Sequence, residues 1–209
     1  MRKRLLALAA LATTAALAAC DAGGATGVRD GKLTATQAAS LSRAMLASAS
    51  TYANGSVPAG ARGARSMDAA GSGSFSFTFN TTQPCTPSGN VAVGGTLVGA
   101  ANATARTGTL QANLALNHQG CTVKADDGST FTLNGDPRID VALNAASGPA
   151  GLTALQLTEA GAFTWSRGDG NSGRCTVNVT ANLVAGTQTV QLSGTFCGFP
   201  VDGTVPVGG

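Results

Sequence analysis

The sequence predicts a mainly β protein, in which an antiparallel meander forms a barrel or a two-sheet sandwich and one helix lies near the N-terminus. From residue 74 onward, apolar side chains alternate with small polar ones, as in Phe75, Phe77 and Phe79, which Ser and Thr separate. This period of two is typical of strands with one buried and one solvated face. We therefore expect one β domain over residues 74–209, with about nine to eleven short strands.

Turn-forming residues punctuate this alternating pattern. Four dipeptides have the composition of hairpin turns: Asp127-Gly128, Asn134-Gly135, Asp169-Gly170 and Ala185-Gly186. Glycine adopts the positive backbone angles that tight turns between antiparallel strands require. We therefore expect consecutive strands to pair with each other as hairpins.

The segment before the β domain is predicted to hold one helix between two flexible stretches. Residues 33–53 carry apolar side chains at three- and four-residue steps, and Thr34 is placed to cap the first turn. Residues 20–32 are small and polar, which predicts a flexible tether. Residues 54–73 are rich in Gly, Ala and Ser, which predicts a linker.

Four cysteines fall within the β domain, and three ways of pairing them are possible. Cys85 and Cys121 flank one predicted hairpin, and Cys175 and Cys197 flank another that turns near Gly186. Folding each hairpin brings its two cysteines together, so we expect disulfides Cys85–Cys121 and Cys175–Cys197. Strict alternation places Cys197 on the polar face, because Phe196 has the parity of the apolar residues. We therefore expect a bulge between Phe196 and Cys197.

The N-terminus has the pattern of an export signal that ends at a cysteine. Basic residues at positions 2–4 precede an apolar run over residues 5–19, and Leu17-Ala18-Ala19-Cys20 closes it. The run is shorter than the roughly 18 residues that a membrane-spanning helix needs. The pattern resembles the lipobox of bacterial lipoproteins, a resemblance confined to residues 1–20.

In that family, the lipobox marks a cleaved signal and a lipidated cysteine. The resemblance implies that residues 1–19 are removed, that the Cys20 thiol takes a diacylglyceryl group, and that the new amino terminus is acylated with a fatty acid such as palmitate. The mature protein would be held in a membrane of the cell envelope, periplasmic or surface-exposed. Several acyl chains on one residue give a firm anchor, since each buried methylene contributes about 0.8 kcal/mol.

Charge argues against nucleic acid as a partner. The whole chain has 13 Lys and Arg against 10 Asp and Glu. Three of the basic residues, Arg2, Lys3 and Arg4, belong to the predicted signal, so the mature chain has no basic surplus. Affinity for nucleic acid depends on such a surplus.

The sequence contains no pattern that indicates a reaction, a metal or a cofactor. His118 is the only histidine and shares strand parity with Leu114 and Leu116, which predicts a structural role at the rim of the apolar face. Glu159 is the only glutamate, so the paired glutamates typical of many glycosidases are absent.

These observations predict a non-enzymatic envelope lipoprotein, whose β module binds or scaffolds an unknown protein, glycan or apolar ligand. One alternative is a carrier that holds an apolar small molecule or lipid in the cavity of a β-barrel. A second alternative is an envelope hydrolase, which would need His118 beside a carboxylate.

Substitution Cys20→Ser tests the anchor. We expect the variant to lose lipid, to retain its signal and to leave the detergent-rich phase on phase partitioning, because serine lacks the thiol that is alkylated. The unsubstituted chain should enter that phase. Unchanged maturation and membrane fractionation of Cys20→Ser would contradict the lipoprotein prediction.

Overall fold

The fold is one antiparallel sheet with a short helix against it, which confirms the mainly β prediction. A computed structural model describes residues 33–42, 45, 71–125, 127–187 and 189–206. Within these ranges the strands are β1 (Ser72–Pro84), β2 (Asn90–Asn102), β3 (Thr107–Gln119), β4 (Cys121–Lys124), β5 (Thr130–Gly148), β6 (Gly151–Arg167), β7 (Ser172–Leu183), β8 (Thr189–Phe196) and β9 (Phe199–Pro206).

The sheet has neither of the two architectures that the sequence suggested. Its strand order is β1-β2-β3-β5-β6-β7-β8-β9, with β4 continuing the line of β3 along β5. Among the described strands, β1 pairs only with β2 and β9 only with β8, so the sheet is not closed into a barrel. Because nearly every strand pairs with its chain neighbour, no connection starts the second sheet that a sandwich needs. The alternation of apolar and polar residues is the same in a barrel, in a sandwich and in an open sheet, so it does not distinguish between them.

The turn signals have two different outcomes. Asp127-Gly128, Asp169-Gly170 and Ala185-Gly186 lie in turns that join β4 to β5, β6 to β7 and β7 to β8, as predicted. Asn134-Gly135 does not form a turn and lies inside β5. Here the pairing of β5 with β6 shifts between Gly135 and Ile139. The glycine therefore serves a bulge within a long strand.

One face of the sheet, called the inner face, carries the apolar residues. In the half of the sheet that contains both disulfides, the disulfide half, these side chains form the buried core, with Phe131, Phe163 and Trp165 nearly inaccessible. The Phe131 and Trp165 rings meet edge to face, with centroids 5.9 Å apart. The other half, towards the turns at residues 103–106 and 184–187, is called the far half.

A helix, α1, covers the inner face of the disulfide half. It spans residues 35–42, and Met45 is helical as well; the rest of the predicted helix over residues 33–53 lies outside the described residues. Leu33 and Leu41 are fully buried in the core. Ser40 Oγ accepts a hydrogen bond from Asp127 N at 3.3 Å. The helix thereby contacts the β4–β5 turn.

Thr34 caps α1, as predicted. The backbone N–H of Gln37 donates to Thr34 Oγ1 at 3.2 Å, and the backbone N–H of Thr34 donates to Gln37 Oε1 at 3.1 Å. This reciprocal pair is a capping box, which satisfies amides that the first helical turn leaves without a partner.

Both predicted disulfides are present, but the predicted bulge at Cys197 is not. The Cα atoms are 5.4 Å apart in Cys85–Cys121 and 4.3 Å apart in Cys175–Cys197. Phe196 pairs directly with Phe199, so Cys197 and Gly198 form the two-residue β8–β9 turn. Both have positive φ, 52° and 78°, as a type I′ hairpin turn requires. The turn, rather than a bulge, reverses the parity of Cys197.

Removal of either disulfide is expected to destabilise the fold. The bridges span 36 residues (Cys85–Cys121) and 22 residues (Cys175–Cys197). Changing both cysteines of a pair to alanine should lower the free energy of unfolding by about 4 and 3 kcal/mol respectively, because the unfolded chain gains freedom with loop length. Guanidinium unfolding of the full chain, with the oxidised wild-type chain as reference, measures both losses. An unchanged midpoint for either double variant would contradict the estimate.

Candidate functional site

The residues that the sequence singled out fall into separate places. Cys20 lies outside the described residues, and Cys85, Cys121, Cys175 and Cys197 are fully engaged in disulfides. Within the described part of the chain, no three His, Cys, Asp or Glu side chains are grouped so that they could hold a metal ion.

His118 lies in the core of the disulfide half. It faces Val91 across β2 and β3 and is 7% exposed. Burial lowers its pKa from 6.5 to about 4, so the ring is neutral at pH 7. Its Nδ1 atom is buried without a hydrogen-bond partner, as is Trp165 Nε1. The ring is therefore placed for packing, and no described carboxylate orients it as a general base.

Two aspartates of β5 pair with arginines at the surface. Asp136 Oδ2 accepts from Arg174 Nε at 2.6 Å, and Asp140 Oδ1 lies 2.8 Å from Arg138 Nε. These four side chains are between 42% and 58% exposed, and ion pairs of this kind contribute little to stability.

Asp169 organises the β6–β7 turn. Its carboxylate accepts hydrogen bonds from the Arg167 guanidinium and from both the backbone and the side chain of Asn171. The Arg167 contact is the main reason why the pKa of Asp169 lies far below its usual value. The Gly-Asp-Gly sequence here is thus explained by turn geometry.

The unexpected feature of the inner face is Glu159, in the middle of β6. The pairing register places one residue of each strand in a continuous line across the sheet, called the Glu159 row. Its members are Phe79, Gly95, Leu114, Val141, Glu159, Val179, Gly194 and Val201. Glu159 is the only polar residue of this row.

The neighbours of Glu159 on the inner face are also apolar. Val141 and Val179 stand directly opposite it on β5 and β7, and both pack against the core. Along β6, Leu157 and Gly161 are the next residues on the same face. No hydrogen bond or ion pair involves the Glu159 side chain within the described chain. A carboxylate in such surroundings loses hydration without gaining a partner.

The side chain of Glu159 is only partly accessible to solvent. The side chain is half-buried, so part of its surface still meets solvent. Burial among the apolar residues on β5, β6 and β7 nevertheless raises the pKa of its carboxyl. Such a desolvated carboxyl group is more typical of a functional site than of a solvated strand surface.

The Glu159 row separates two differently packed parts of the inner face. On its disulfide side, the adjacent row is largely buried and includes Val93, Ile139, Val177, Phe196 and Phe199. On its far side, most of the large apolar side chains are only half-buried, although Val190 is buried. The half-buried side chains are Phe75, Phe77, Leu97, Leu110, Leu143, Leu155, Leu157 and Leu192. The far half therefore holds apolar side chains that are incompletely removed from water.

A broad depression lies at the outer end of the far half. It has a volume of about 600 Å³ and is open to solvent. Small residues at the ends of β1, β2, β3 and β5 line it, among them Gly73, Ala101, Gly108 and Ser147. Its small polar and glycine lining differs from the enclosed apolar cavity of a ligand-carrying barrel.

Comparison of the chain with family models, curated proteins and solved structures finds no match. Among the described residues, no helix combines the length and the apolar character needed to cross a membrane. Site assignment therefore depends on the geometry of this chain alone.

Sequence reasoning missed Glu159 as a site residue, although a signal was present. Leu155, Leu157 and Glu159 share one parity on the same predicted strand. Parity alone thus places the carboxyl on the apolar face. That Val141 and Val179 flank it depends on pairing between strands, which parity does not specify.

The buried His118 predicts a loss of stability in acid. Its folded pKa of about 4 lies below the unfolded value of 6.5, so the unfolded chain binds its proton first. The contribution of His118 to the free energy of unfolding is therefore fully present above pH 6.5. It falls by about 3 kcal/mol in total as the pH drops from 6.5 to about 4.

Comparison with His118→Gln isolates this contribution. Denaturant unfolding of both chains between pH 8 and 3.5 should show a slope in wild type that the variant lacks. Subtraction also removes the opposite contribution of Glu159, whose raised pKa favours folding as the pH falls. Equal pH profiles would show that His118 titrates normally.

Proposed function

We propose that this chain is a non-enzymatic binding module of the cell envelope, held at a membrane by lipid on Cys20, which takes an apolar small molecule or lipid against the far half of its inner face. The observation that carries the proposal is the incomplete burial of large apolar side chains there. Covering such surface releases free energy in proportion to the apolar area removed from water.

The positions of the aromatic residues support a ligand site in the far half. Phe131, Phe163 and Trp165 fill the core of the disulfide half and are at most 2% exposed. Phe75 and Phe77 instead lie half-buried on the edge strand β1, with ring centroids 5.8 Å apart. A core filled by all of these rings would have argued against a ligand; their separation into buried and half-buried groups favours one.

The location is supported by two independent features. The Leu-Ala-Ala-Cys motif ending at Cys20 resembles a lipobox. The two disulfides are typical of an oxidising compartment outside the cytoplasm. A binding module near a bilayer would have apolar molecules within reach.

Binding is favoured over hydrolysis by the distribution of titratable groups. His118 and Glu159 share the inner face, but the register separates them by two rows along the strand direction and by two strands across the sheet. An acid–base pair has to reach the same reacting atom. The inner face around Glu159 instead consists of hydrocarbon, which suits an apolar ligand.

Calorimetric titration of octan-1-ol into the full chain, held in lipid nanodiscs, tests the binding role. Empty nanodiscs supply the reference. Leu157→Ala should weaken binding by roughly tenfold, because it removes methylene contacts from the inner face. Gln156→Ala, on the opposite face of the same strand, is the matched control and should bind as wild type does. Absence of octan-1-ol binding to the wild-type chain would overturn the proposal.

A further inference from the structure

Glu159 gives the inner face a chemical preference as well as an apolar surface. It stands between Val141 and Val179, and the residues diagonal to it on β5 and β7 are Ile139, Leu143, Val177 and Ala181. An isolated carboxyl among these side chains adds nothing to packing. It lies near the centre of the sheet, four strands from β1 and three from β9.

Of the five described Lys and Arg side chains, Arg106 and Lys124 are exposed in the β2–β3 turn and at the end of β4, and the other three are engaged elsewhere. Arg174 pairs with Asp136 and Arg138 pairs with Asp140 at the exposed surface. Arg167 pairs with Asp169 at the β6–β7 turn. Asp140 faces Ala160, the residue after Glu159, and therefore points to the opposite face. Within the described residues, the Glu159 carboxylate is thus left without a counter-charge.

Two glycines lie close to Glu159 on the inner face. Gly161 follows Glu159 on the inner face, and Gly194 lies across Val179 in the Glu159 row. Neither adds a side chain to this surface. Because the Glu159 side chain is partly exposed, a ligand head group can reach the carboxyl from the solvent side of the inner face.

Larger side chains mark the direction of an apolar tail. Leu143 and Leu157 form a directly opposed pair one row towards the far half. Leu192 belongs to the same row and is also half-buried. A chain that starts at Glu159 and runs along these leucines would cover the apolar surface that the far half leaves accessible.

We propose that the inner face binds an amphiphile with a positively charged amine head, which forms an ion pair with Glu159 while its hydrocarbon tail lies along Leu143, Leu157 and Leu192. This inference rests on the proposed function and adds the charge of the ligand. An ammonium group donates up to three hydrogen bonds and supplies the missing counter-charge. Desolvation of the site makes such a pair stronger than one at an exposed surface.

The test compares three eight-carbon probes that differ only in the head group: octylamine, octan-1-ol and octanoate. Each is titrated by calorimetry into the full chain in nanodiscs at pH 8, with empty nanodiscs as reference. Wild type should bind octylamine about tenfold more tightly than octan-1-ol, the size expected for one charged hydrogen bond. Octanoate should bind most weakly, because its charge repeats that of Glu159.

Glu159→Gln is the decisive variant, and Asp140→Asn is its matched control. The first should bind octylamine and octan-1-ol alike, whereas the second removes one negative charge from the opposite face and should keep the tenfold preference. Glu159→Gln should also melt at a higher temperature than wild type, because it removes an unpaired carboxylate. A melting scan therefore shows that lost selectivity is not lost folding.

The outcomes separate this inference from the binding role. An octylamine preference that survives in Glu159→Gln, or that wild type lacks while still binding octan-1-ol, overturns the amine head group and leaves the apolar binding role standing. Failure of all three probes to bind wild type overturns both. Loss of the preference in Asp140→Asn as well as in Glu159→Gln would show a general effect of net charge, and would also overturn the site.

Discussion

An antiparallel sheet that is apolar on one face has to remove that face from water. The rest of this structure depends on the fact that its two halves do so to different extents. In the disulfide half, α1 and the aromatic core remove the inner face from water almost completely. The capping box at Thr34 and the contact from Ser40 to the β4–β5 turn hold the helix in place. In the far half, the same alternating strands continue, but most of their large apolar side chains remain half-buried.

The boundary between these halves coincides with close contacts between backbones. Gly161 and Gly194 have φ of 143° and 132°, which side-chain-bearing residues rarely adopt. A Cβ atom on Gly161 would lie 2.2 Å from Arg138 O, and one on Gly194 would lie 2.0 Å from Asn178 O. Glycine at such positions is typical of bulges and of strands that bend. The carboxyl of Glu159 therefore sits where the sheet has little room for larger side chains beside it.

In the proposed binding role, Glu159 lowers the stability of the folded chain while it raises affinity for the ligand. An unpaired carboxylate on an apolar face destabilises the folded chain at neutral pH, which is why burial raises its pKa. A hydrocarbon side chain would fit the row better. Residues that reduce stability in this way are concentrated at binding sites, where the ligand supplies the missing partner.

The sequence by itself determined the local features: the β class, the cap at Thr34, the turns at Gly128, Gly170 and Gly186, and both disulfides, because each depends on neighbouring residues or on one hairpin. The barrel and sandwich predictions failed because alternation does not specify where a meander ends or whether its edges meet. The turn at Cys197 was missed because a two-residue turn and a bulge both interrupt the alternation of faces after Phe196, so the sequence pattern does not distinguish them. Only the tertiary structure joined Val141, Glu159 and Val179 into one row, since register between strands depends on packing across the whole sheet.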